Sequence, residues 1–184
     1  MLGFEKSSFR DFRKSALKAA KKFELNPVTL SFKTQKMENH LNRFVEAQKN
    51  SFEDALQELK NGKKTTHWMW YIFPQIKGLG KSAIAREFEI QDLAEAEEYL
   101  EHDVLGKRLL RLTKILVDDV HGKSAEQIFG YPDFLKFKSC LTLFNFMVEE
   151  NPKKFSEGKY RIFSKALGKY YDGKKDENTL NILA

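Results

Sequence analysis

Five apolar residues, Phe134, Phe137, Leu141, Phe144 and Val148, fall three or four positions apart in one run. That spacing matches the 3.6-residue turn of an α-helix and places all five on one side, so the run must pack against other elements. Pro132 stands at its start, where a missing N–H costs nothing. The periodicity recurs elsewhere. Leu105, Leu109, Leu112, Leu116 and Val120 mark a helix that stops near His121-Gly122. Leu41, Phe44, Val45, Phe52, Ala55, Leu56 and Leu59 mark another, running from about Glu38 to Lys60 and closed by Asn61-Gly62. Shorter helices are predicted over 92–102 with Asp92 as N-cap, over 124–129 closed by Gly130, and over 159–171 and 176–183. Strand-like alternation is nearly absent. The pattern predicts an all-α fold, a compact single-domain bundle of seven or more helices over about 39–184.

A chain of 184 residues, 41% hydrophobic with 16 phenylalanines, has enough apolar side chain for a full core. No apolar run approaches the roughly 20 residues that cross a bilayer, and no secretory signal opens the sequence. The single cysteine, Cys140, excludes an intrachain disulfide and a multi-cysteine zinc site; it lies in the apolar helical run and reads as a small core residue. No histidine pair has metal-ligand spacing, so no metal site is predicted, and no cofactor motif is present. A reducing, cytoplasmic setting follows, with organelle targeting as the minor alternative.

The net charge of +6 is unevenly placed. Residues 1–36 carry nine basic groups (Lys6, Arg10, Arg13, Lys14, Lys18, Lys21, Lys22, Lys33, Lys36) against Glu5, Asp11 and Glu24, and the remaining chain is balanced. Phe9, Phe12, Ala16, Ala20 and Phe23 recur in this arm at helical spacing. A basic amphipathic arm suits an anionic membrane, a partner protein or a targeting role, or packs on the domain by its phenylalanines. The balanced domain itself is a poor candidate for nucleic-acid binding.

One stretch imitates a phosphate loop. In "THWMWYIFPQIKGLGKSAIA" (66–85) an apolar run leads into Gly80-Lys81-Ser82, the end of a Walker pattern. The leading glycine of that pattern would fall on Gln75. "KILVDD", which imitates the magnesium-holding strand, continues the helical stripe through Leu112 and Leu116. A phosphate loop also needs a parallel sheet to aim it, and the sequence offers none. Gly78 and Gly80 therefore read as a permissive turn that lets backbone approach another surface. Trp68 and Trp70 beside it, with His67 and Gln75, could wall a ligand site or plug the core. His67 is the candidate general acid or base, since histidine titrates near neutrality. Gln48 interrupts an apolar face and must find partners there, either tying core helices together or facing a site. His102 sits at a helix junction, where capping competes with chemistry. Asp133, Lys136 and Ser139 share one side of a helix start, where they either hold a phosphate or carboxylate or form a structural ion pair.

Five segments occur together in order: "RFVEAQ" (43–48), "HWMWYIFPQIKGLGKS" (67–82), "YLEHDVLGKRL" (99–109), "IFGYPDFLKFKSCLTLF" (128–144) and "YYDGKKDENTL" (170–180). The series resembles the bacterial family called domain of unknown function 1810 over about residues 40–184. The resemblance implies a mainly α-helical fold and supplies no reaction. It places the family's polar motif positions on Gln48, His67, Gln75, Ser82, His102, Arg108, Asp133, Lys136 and Ser139, and leaves the position of Lys81 open. Asp103, Phe88 and Cys140 stand where the family more often has proline, tyrosine and serine. Two expectations follow. Either the domain binds or processes a small anionic, nucleotide-like ligand, with His67 catalytic and Gln48, Trp68, Trp70, Gln75, Gly78, Gly80, Ser82, His102, Arg108, Asp133, Lys136 and Ser139 binding. Or it is a non-enzymatic helical interaction module whose arm contacts a partner, a membrane or nucleic acid. The sequence leaves open whether the protein is an enzyme.

Overall fold

The computed structural model describes residues 40–184; the basic arm expected over 1–36, with its phenylalanine stripe, lies outside the described residues. Residues 40–49 are helical, and nine α-helices follow among the described residues. They are α1 (Phe52–Lys60), α2 (Met69–Ile72), α3 (Ala83–Glu87), α4 (Leu93–Glu101), α5 (Leu105–Asp118), α6 (Ala125–Phe129), α7 (Asp133–Glu150), α8 (Ile162–Tyr171) and α9 (Glu177–Leu183). A 3-10 turn, Gly158–Arg161, precedes α8. Residues 43–184 pack as one unit, and no strand occurs among the described residues.

Local chemistry explains most boundaries. The Asp92 side chain accepts from the amide of Glu95 and starts α4. Ser124 and Gln127 form a reciprocal capping box that starts α6, and Gly130 at φ 72° ends it. Asp176 caps α9 through the amide of Thr179. One expectation is corrected, and the rejection of a phosphate loop is borne out. The single helix over 38–60 is broken at Asn50-Ser51, because both residues compete for backbone hydrogen bonds and Ser51 Oγ donates to the carbonyl of Ala47 (2.8 Å). The aromatic run 68–73, ambiguous in sequence, contains the one-turn helix α2 and no strand, so nothing aims a phosphate loop at Gly80.

Helix α7 is the axis of the core. Phe137, Cys140, Leu141, Leu143, Phe144 and Met147 are fully buried, so the helix is enclosed on more than the face its stripe predicted. It packs against α8, α9, α4, α6 and α2. Phe144 stacks on Phe163 at 5.6 Å, and Phe137 meets Phe73 at 4.8 Å and Phe129 at 4.7 Å. Each such ring, fully buried, contributes about 1.5–3 kcal/mol from removal of apolar surface. Burial also pushes the Cys140 thiol up, which fits a core residue and no nucleophile. No helix among the described residues is long and apolar enough to cross a membrane.

Candidate functional site

The turn after α2 is held by a short parallel pairing with the segment before α4. The amide of Ile90 donates to the carbonyl of Gln75 (2.8 Å), and the amide of Lys77 to the carbonyl of Ile90 (2.8 Å). This fixes the backbone of Gln75. The chain then reverses through Gly78 at φ 96°, a conformation that disfavours a side chain, and brings Gly80 against α3 so closely that a Cβ there would overlap the Cβ of Ala85. Ser82 starts α3 by accepting from the amide of Ala85 (3.2 Å). The permissive turn expected from the two glycines is thus a close approach of backbone to a helix.

Between this turn and the first turns of α7 and α9 lies a cleft of about 390 Å³. Trp70 of α2 and Gln75, Leu79, Gly80, Lys81 and Ser82 of the turn contribute to its lining, and α3 adds Ala85. Pro132, Leu135, Lys136 and Ser139 come from the start of α7, and Asp176 and Asn178 from the start of α9. Of the sequence candidates, Trp70, Gln75, Gly80, Ser82, Lys136 and Ser139 are brought together here from two distant segments, 70–82 and 136–139.

Charge in the cleft is partly committed. Lys136 Nζ lies 2.8 Å from Asp133 Oδ1 and 4.5 Å from the centre of the Trp70 ring. Asp133 also receives Lys64 at 2.7 Å. Burial would raise the Asp133 carboxyl, but the hydrogen bonds from Lys136 and Lys64 outweigh it and hold it below the ordinary range. Two lysines on one carboxylate leave a net positive charge. Lys81 is exposed and Gln75 half-buried, and neither side chain has a hydrogen bond or ion pair among the described residues.

Other expected site residues lie elsewhere. Gln48 is 1% exposed; its Nε2 donates to the carbonyl of Tyr71 (2.7 Å) and to Tyr99 Oη (3.0 Å), while its Oε1 accepts from Arg108 (3.3 Å). It ties helices together and does not line the cleft. Burial drives the Tyr99 phenol far up, so it stays a neutral partner in that network. Arg108 lies over the Phe52 ring at 4.5 Å and borders a separate, smaller depression of about 280 Å³ with Lys107 and Arg111. Trp68 is fully buried, its Nε1 donating to Glu58 (2.8 Å) and its ring packed on Phe73 and Phe129. His102 Nδ1 accepts from the amides of Val104 and Leu105 (3.1 and 3.3 Å) and so caps the start of α5. His67 is exposed, outside the cleft lining, with its carbonyl accepting from Tyr71 Oη (3.2 Å). Gly78 shapes the turn without lining the cleft, and Asp133 acts through Lys136.

Lys81, Asp176 and Asn178 line the cleft without being among the residues the sequence singled out. Lys81 lies in Gly80-Lys81-Ser82, the imitation of a phosphate loop, and that turn lines the cleft. Asp176 was legible only as a helix cap; an Asp three residues before a Thr gives no hint that the carboxylate also faces a cleft.

The family model described as "protein of unknown function (DUF1810)" matches residues 38–183. Among solved structures, the crystal structure of the conserved hypothetical protein Rv1873 from Mycobacterium tuberculosis is similar, at 42% identity and a TM-score of 0.71, over 78% of this chain and 95% of that one. No curated protein matches the chain. The five motifs therefore sit on the fold they imply, and the chain belongs to the DUF1810 family of proteins of unknown function.

Proposed function

We propose that the cleft between the 75–82 turn and the starts of α7 and α9 binds a small anionic, nucleotide-like ligand. The observation that carries this reading is the pair of polar groups with no partner among the described residues beside an aromatic wall: the Gln75 amide and the Lys81 ammonium, with Trp70 adjacent. A core of this kind normally pairs its polar atoms, as the Gln48 network does. Groups left open in a concave site are available to a ligand. Lys81 and the positive surplus of the Lys64–Asp133–Lys136 cluster favour negative charge, and the half-exposed indole favours a flat ring. No histidine lines the cleft, so the reading is binding and carries no acid–base step through His67.

A thermal-shift screen with nucleotides, sugar phosphates and ADP-ribose derivatives tests it. A ligand at 100 times its Kd stabilises the fold by about 2.7 kcal/mol, which raises Tm by roughly 5–10 °C for a domain of this size. The shift should disappear in Lys81→Ala combined with Gln75→Ala. A flat screen across all these anions overturns the reading and leaves the interaction module in its place.

A further inference from the structure

Asp176 sits awkwardly in an anion site. Asp176 lines the cleft, and its carboxylate makes no ion pair among the described residues. Oδ2 accepts from the amide of Thr179 (2.9 Å) and from Thr179 Oγ1 (2.7 Å), whereas Oδ1 accepts from no described residue. A bare phosphate would satisfy Lys81 and be repelled here.

The hydrogen bonds around Thr179 have a fixed direction. A threonine hydroxyl carries one proton, and that proton is on the bond to Asp176. The 2.7 Å contact between Thr179 and Ser139 must then be donated by Ser139. Ser139, 2% exposed in the cleft wall, is left with lone pairs only. The Ser139 hydroxyl is therefore an acceptor for any further partner, where its residue type alone suggested a donor. The amide of Asp176 donates to Thr142 Oγ1 (2.9 Å), which ties this chain to α7. Ser139 Oγ and the Asp176 carboxylate are thus two acceptors held two hydrogen bonds apart, beside a lysine-bearing turn.

We infer that Ser139 and Asp176 form a hydroxyl-recognising subsite, so that the ligand is the phosphate ester of a sugar with free neighbouring hydroxyls, such as the ribose of a ribonucleotide. The inference rests on the anion-binding reading above and specifies its ligand. The sugar hydroxyls donate to Ser139 Oγ and Asp176 Oδ1, and the phosphate meets Lys81. A site built to accept from hydroxyls discriminates strongly against analogues that lack them, because its acceptors stay unpaired.

The test is titration calorimetry on the full chain with the ribonucleoside 5′-monophosphates, their 2′,3′-dideoxy counterparts and inorganic phosphate. The ribonucleotides should bind at least tenfold tighter than the dideoxy forms. Asp176→Asn keeps an oxygen to cap α9 and should shrink that ratio to within about threefold while leaving the dideoxy affinity unchanged or improved. Ser139→Ala, which leaves the α9 cap intact, should also reduce the ratio and serves if Asp176→Asn fails to fold. Equal affinity of ribo and dideoxy forms for the wild type overturns the subsite and spares the anion site. Absence of binding by every nucleotide overturns both. A ratio unchanged in both variants shows that other groups read the hydroxyls and overturns the assignment to Ser139 and Asp176.

Discussion

Two polar clusters in this domain are built from the same kind of motif residue and end in opposite states. Around Gln48, the donors and acceptors meet: Tyr71 carbonyl, Tyr99 hydroxyl and Arg108 guanidinium all reach one amide that is sealed from water. Around Gln75, an identical side chain sits in an open cleft with no partner among the described residues. Two glutamines, one saturated and one idle, separate polar residues that hold the fold from polar residues held in reserve. The comparison teaches that a recurrent polar position is informative about function only once its partners are counted.

The largest effect should come from the sealed side. Gln48→Ala removes a buried amide, takes one of two hydrogen-bond partners from the Tyr71 carbonyl and from the Tyr99 hydroxyl, which stay bonded to each other at 3.3 Å, and opens a void. It should cost about 2–4 kcal/mol in urea unfolding. Ligand affinity of the folded fraction should not change. A loss of affinity with unchanged stability would erase the distinction between the clusters.

Next comes the hinge between fold and cleft. Gly80→Ala drives a methyl into Ala85, so the turn must lift away from α3. Overpacking of this kind costs about 1–3 kcal/mol. Because the same turn carries Lys81 and Ser82, binding should weaken as well, which neither Gln48 nor Gln75 alone would combine. A crystal structure of the variant with the turn unmoved would refute the argument.

The helices were legible because apolar period and caps are written locally: the Phe134–Val148 stripe, Asp92 and Gly130 each needed no distant partner to be read. The cleft was half legible. Trp70, Gln75, Lys136 and Ser139 could be named from residue type, but Trp68 and Trp70 are two positions apart with similar chemistry and opposite fates. Only tertiary packing decides that Trp68 reaches Glu58 in the core while Trp70 faces Lys136. Likewise the donor or acceptor state of Ser139 depends on Thr179, 40 positions away. Long-range partners of this kind leave no periodic trace.

Glu58 offers a smaller, pH-dependent contrast on the sealed side. Its carboxylate accepts from the amides of Thr65 and Thr66, the Thr66 hydroxyl and Trp68 Nε1, fixing the 65–68 turn. Burial opposes ionisation, but these donors outweigh it and hold the carboxyl at about 2 against an ordinary 4.5. A lowered folded value means the contribution is complete above about pH 4.5 and is lost as pH falls through about 2. Solvent screening at this partly open position reduces it to about 1 kcal/mol. Glu58→Gln should lower stability by that amount at pH 7 and flatten the acid limb of the stability curve between pH 4.5 and 2. An unchanged acid limb would show that the turn is held by packing of Trp68 alone.

The smallest effect on stability should be at Gln75. Its carbonyl is bonded to Ile90 whatever the side chain, so Gln75→Ala keeps the backbone pairing and removes only an unpartnered amide. Stability should stay within about 0.5 kcal/mol of the wild type. Binding of a nucleotide in the cleft should nevertheless weaken about tenfold, the worth of roughly one hydrogen bond of 1.4 kcal/mol. The pair of measurements is decisive because Gln48→Ala predicts the reverse pattern from the same chemical change. If Gln75→Ala destabilises the fold as much as Gln48→Ala does, the idle amide has a structural partner in solution and the cleft loses the residue that most distinguishes it from core. If affinity is unaltered while stability is also unaltered, Gln75 is surface, and the ligand must be held by the lysines and the Asp176 end alone.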